Sequence, residues 1–164
     1  MKSRVHMRLS GLSGILAGVC LLLGLAFILA VFMGEAALAA SAIFLTLGKG
    51  FELFFLFGIF CTQPQIQDKT YLAAFILSVF GLTVDLFPPL GRVLFMIGLL
   101  LFAVSTNNKK ELPYWGFWLW LAGAVAVLVS SIFSIRLLMG IGTLFSAAAL
   151  IIMGAALRRS YSEG

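Results

Sequence analysis

Apolar residues run along this chain in blocks long enough to cross a bilayer, separated by short polar or turn-forming interruptions. A hydrocarbon core of ~30 Å needs about 20 apolar residues at a helical rise of 1.5 Å each, so the chain divides wherever polarity breaks a block of that size. Six segments result: Leu9 to Met33, Ala36 to Phe60, Tyr71 to Phe87, Leu90 to Ser105, Pro113 to Phe133, and Arg136 to Leu157. The pattern predicts an all-α fold, a polytopic integral membrane protein of six transmembrane helices in three hairpins, with residues 1–164 as a single domain.

The interruptions differ in kind. Gly34-Glu35 reads as a tight turn, Cys61 to Thr70 as a polar loop containing Pro64, Pro88-Pro89 as a helix stop, and Thr106 to Leu112 as a second polar loop. Ser134-Ile135 is the weakest break, because only Ser130, Ser131, Ser134 and Arg136 mark it; a continuous helix there would leave five in all. The basic start followed by an apolar run imitates a signal peptide, but that run exceeds the ~7 to 15 residues of a signal h-region, so it reads as a retained first helix.

Composition agrees with a membrane protein: 62% of the 164 residues are hydrophobic and 10% are charged, against about 25% charged in soluble domains. The net charge of +5 need not imply nucleic acid, because the basic residues sit between the apolar blocks. With six helices and the amino terminus inside, Lys2, Arg4, Arg8, Lys69, Lys109, Lys110, Arg158 and Arg159 all fall on one side. The other side receives Arg92 and Arg136. Cytoplasmic loops are enriched in Lys and Arg, so the bias predicts both termini in the cytoplasm of a bacterial inner membrane. Tyr114, Trp115, Phe117, Trp118 and Trp120 then read as an aromatic belt at the inner interface.

The sharpest chemical feature is Lys49-Gly50-Phe51-Glu52, near the middle of the second block, where ionisable groups cost several kcal/mol and default to a functional role. Three residues apart on a helix, Lys49 and Glu52 share a face and can pair, and Thr46 and Ala42 extend that face. The stripe is expected to meet protein or water, with Phe44, Phe51 and Phe55 on the opposite side against lipid or apolar neighbours. Segment midpoints bring Cys20, Ser78 and Ser146 to the same depth, so the candidate ligand or ion path comprises Lys49, Glu52, Thr46, Ser78 and Ser146. A bland alternative is an ion pair that only fixes helix packing.

A second cluster is expected at the outer surface, where Glu35, Asp85, Arg92 and Arg136 fall at helix ends and can form ion pairs that lock hairpins together. Small residues at Ser10, Gly14 and Gly18, and at Ala36/Ala40 and Ala37/Ser41, permit close helix contact, within the chain or between subunits. The last two hairpins can be superposed, Arg92-x-Leu94-x-x-Ile97-Gly98-x-Leu100 on Arg136-x-Leu138-x-x-Ile141-Gly142-x-Leu144, as parallel repeats.

What is missing narrows the function. The sole histidine, His6, lies in the amino-terminal tail, and Cys20 and Cys61 lack paired spacing, so no metal site and no cofactor is predicted. No aspartate pair at common depth, no Ser-His-acid set and no phosphate-cradling loop can be assembled. Two readings remain: a ligand-binding or translocation module built on the Lys49/Glu52 pair, or a noncatalytic scaffold or accessory subunit. Expected partners are the lipid bilayer and a homo-oligomer or larger membrane complex. A solvent-reachable cavity ending at Lys49 favours the first, a sealed pair the second.

Overall fold

A computed structural model describes residues 2–30, 35–62, 69–84, 90–106 and 114–160, and within them six α-helices: α1 (Lys2–Leu29), α2 (Glu35–Thr62), α3 (Lys69–Thr83), α4 (Leu90–Thr106), α5 (Tyr114–Phe133) and α6 (Arg136–Ser160). α1 begins ahead of the apolar run, since nothing in its basic start breaks a helix. The expected helix ends at Met33 and Phe87, the turn residue Gly34, and the prolines at 64, 88 and 89 lie outside the described residues.

Four helices, α1, α2, α5 and α6, are long and apolar enough to cross a membrane. At 15 and 17 residues, α3 and α4 reach only about 22 and 26 Å, short of a ~30 Å hydrocarbon core.

The break at Ser134-Ile135 is real. Ser134 adopts φ 55°, and the Ile135 N–H donates to the Ser130 carbonyl at 3.1 Å, which closes α5 with the wide turn of a Schellman-type cap. Only then does α6 start, at Arg136. A non-glycine residue in the left-handed region costs about 1 to 2 kcal/mol. Ser134→Gly is therefore expected to raise stability by about 1 kcal/mol, read as a higher midpoint of thermal unfolding in detergent; an unchanged or lower midpoint would show that the cap carries no strain.

The helices close into a ring. α1 packs on α2 and α6, α5 on α6 and α4, α3 on α4, and the thinnest seam, α2 against α3, completes the circle. Neighbours run antiparallel, and α1 begins beside the end of α6, where Gly11 lies against Gly154 and Arg158. Both ends of the described chain therefore share one end of the bundle. The small-residue stripe Ser10-Gly14-Gly18 is spent inside the chain: Ser10 Oγ donates to the Phe55 carbonyl, Gly14 lies against Phe55 and Gly154, and Gly18 against Ala147 and Ile151.

Within the two hairpins that align in sequence, Gly98 and Gly142 do the same job. A Cβ on Gly98 would stand 2.6 Å from the Ser78 nitrogen and 2.9 Å from the Ala74 carbonyl; one on Gly142 would stand 2.9 Å from the Val127 nitrogen and 2.7 Å from the Gly123 carbonyl. Each glycine lets α4 or α6 approach the preceding helix at its backbone, one carbonyl and one amide a turn apart.

The packed core fills the half of the ring nearer the termini. Phe55, Ile59, Tyr71, Phe102, Phe117, Trp120 and Met153 are fully buried there. Their rings interlock, with Tyr71 and Phe102 edge to face at 5.1 Å and Phe102 stacked on Phe117 at 5.6 Å. Trp120, tilted against Phe55 at 6.1 Å and edge-on to Phe95 at 5.6 Å, forms the upper limit of this plug.

Candidate functional site

Beyond Trp120 several lining positions are small, Gly81 on α3, Ala124 on α5, and Thr143 and Ser146 on α6, and the ring no longer fills. A half-enclosed cavity of about 230 Å³ results, to which all six helices contribute. Among the described residues its charged lining is Lys49, Glu52 and Arg92; most of the remainder is apolar.

Glu52 is buried, 5% exposed, and its Oε1 accepts a hydrogen bond from Trp120 Nε1 at 2.9 Å. The indole is itself buried in the plug, so it holds the carboxylate in one orientation. Lys49 lies one turn away on the same helix and is half-buried at the cavity wall. Its ammonium interacts electrostatically with Glu52 and also with Arg92. Charges on three residues thus line one cavity, Glu52 at its boundary with the packed half and Arg92 nearer the far end of the bundle.

Arg92, expected in an outer-surface ion pair, is half-buried in the first turn of α4, where it lines the cavity and its guanidinium donates to the hydroxyl of the exposed Ser131 on α5. Ser131 in turn donates to the Val127 carbonyl at 2.8 Å. Glu35 and Arg136 are exposed at the first residues of α2 and α6, and Asp85 lies outside the described residues. The expected four-residue surface cluster is therefore not assembled among the described residues.

The rest of the candidate path separates as well. Ser146 lines the cavity. Thr46 does not: it is exposed, and its hydroxyl donates to the Ala42 carbonyl at 2.8 Å, which satisfies it without an interior partner. Ser78 is buried in the α3/α4 seam beside Gly98, where its hydroxyl has no hydrogen-bond partner among the described residues. Cys20 is buried against Gly48.

The buried stripe of α2 runs through Ser41, Gly48, Glu52, Phe55 and Ile59, with Lys49 at its edge, so the helix is turned relative to the expected Ala42-Thr46-Lys49 face. Phe44 stacks on Phe27 at 5.5 Å, Phe51 packs against the core, and Phe55 is buried; the outward side belongs to Ile43, Leu47, Phe54 and Phe57.

No protein-family model, no curated protein and no solved structure matches this chain. The site must be read from its own geometry.

Two contributors escaped the sequence. In sequence Trp120 reads as part of an interfacial belt, but the belt splits by helix face: Trp115 and Trp118 are exposed, whereas Phe117 and Trp120, also three apart, are fully buried. That double three-residue spacing was the available signal. Thr143 gave none, since its hydroxyl is one of several on α6. Among the described residues no group of three His, Cys, Asp or Glu side chains could hold a metal ion.

Proposed function

We propose that the protein is a ligand-binding or translocation module of a bacterial inner membrane, with both termini cytoplasmic and the cavity facing the opposite side. One observation carries this reading: the cavity ends on Lys49, Glu52 and Arg92 instead of leaving a sealed pair inside apolar packing. Ionisable groups at such depth are costly, and a bundle that needed them only for packing would gain nothing from surrounding them with space. The orientation is supported by the concentration of Lys and Arg on the side of the termini.

The test is chemical. In a background of Cys20→Ala and Cys61→Ala, single cysteines at Lys49 and Thr143 line the cavity, and cysteines at Phe54 and Phe57 lie on the exposed outer side of α2. A membrane-impermeant thiol reagent added to intact spheroplasts is expected to label positions 49 and 143 but not 54 or 57. Silence at 49 and 143 would favour the scaffold reading, and labelling only in inverted vesicles would reverse the orientation.

A further inference from the structure

We infer that the cavity receives a monoanionic amphiphile, a carboxylate or phosphodiester head on an apolar body, with Arg92 and Lys49 taking the head. The inference rests on the ligand-binding reading above and specifies what would bind.

Charge sets the valence. Among the described lining residues two cations face one carboxylate, a surplus of one positive charge in a site walled mainly by hydrocarbon. Arg92 and Lys49 come from different helices and repel each other across it, a placement that costs energy in low dielectric unless an anion joins them. Glu52, held by Trp120 through Oε1, carries a single charge and can balance only one of the two cations. Arg92 offers five N–H donors in a planar fork, and the Ser131 hydroxyl engages one nitrogen, which leaves donors for a two-oxygen head group. One added negative charge neutralises the set; a phosphomonoester, near two, would overshoot it.

Shape sets the body. The apolar lining includes Leu21, Leu45, Leu82 and Met139, and about 230 Å³ is below the ~300 to 1,000 Å³ of drug-sized sites. A head and a few carbons fill it. A longer chain has a way out where α2 and α3 part. Those helices meet near their joined ends, through Phe57 and Phe60 against Phe75 and through Tyr71 Oη donating to the Ile59 carbonyl, whereas farther along Lys49 and Leu82 both face the cavity. Next to Lys49, a Cβ at Gly50 would meet nothing within 4 Å. The same head-group chemistry could be supplied by a free short-chain acid or by an anionic phospholipid whose tails stay in the bilayer.

Trp120 makes the test direct, because it lines the cavity and the other two of the chain's three tryptophans, Trp115 and Trp118, are exposed. With Trp115→Phe and Trp118→Phe, fluorescence reports on Trp120 alone. In phosphatidylcholine nanodiscs, saturable quenching is expected with 6-bromohexanoate, with phosphatidylglycerol brominated on its acyl chains, or with both, which also identifies the source. Binding of 6-bromohexanol, of brominated phosphatidylcholine, and of the anions to an Arg92→Gln variant is expected to be at least tenfold weaker, with recovery in Arg92→Lys. Equal quenching by the acid and the alcohol in the otherwise unaltered protein would overturn the anion assignment and leave a cavity that binds apolar molecules. Silence with every probe would overturn it too; the binding reading itself falls only if the cavity cysteines also resist the thiol reagent.

Discussion

Lys49→Met is expected to destabilise the folded protein by about 3 to 5 kcal/mol, because it leaves the carboxylate of Glu52 in a buried site without the cation one turn away on its own helix. Glu52→Gln is the informative partner substitution, since a glutamine carbonyl can still accept from Trp120 Nε1 while the charge is gone. The double variant is therefore expected to be more stable than Lys49→Met alone. A double-mutant cycle on unfolding midpoints in detergent reads this coupling, and strict additivity would show that the two charges do not support each other.

An effect of similar size is expected where α1 and α6 cross. A Cβ on Gly154 would lie 2.5 Å from the Gly11 carbonyl and 2.9 Å from the Ile15 nitrogen, both backbone atoms that no rotamer change can move aside. Overpacking commonly costs about 1 to 3 kcal/mol, and a rigid obstruction belongs at or above the top of that range. Gly154→Leu should thus force the helices apart, lowering the unfolding midpoint sharply or abolishing recovery of folded protein. Gly50→Ala is the matched control, because the added methyl meets open space and alanine is the better helix former by about 1 kcal/mol. Equal loss in both variants would point to a general intolerance of the helices and away from the α1/α6 crossing.

Helix number was legible because length and polarity act locally: a polar loop or a proline pair interrupts an apolar run whatever surrounds it. Even the faint Ser134-Ile135 break was marked by its serines, although the left-handed turn that makes it was not. Rotation was harder to read. Three- and four-residue spacing put Thr46 on the face of Lys49, yet a threonine that bonds its own helix carbonyl has no need of the interior, and exposure of Thr46 follows. For Arg92 the limit is different. Its position at a helix end was visible, but the direction of its side chain depends on α4 lying beside α5, a tertiary fact that no local pattern carries. Trp120 shows the same limit from the opposite side, since an aromatic suited to an interface became the donor that orients a buried carboxylate.

The division of the ring into an interlocked half and a hollow half has a thermodynamic consequence. For anything to travel from the cavity toward the termini, the contacts of Trp120 with Phe55 and Phe95, and of Phe102 with Tyr71 and Phe117, would have to part together. While they hold, the chamber is a cul-de-sac, closed toward the termini. A ligand held there would exchange only with the side on which the cavity opens and with the adjoining lipid, so a concentration gradient across the plug could not by itself drive anything through.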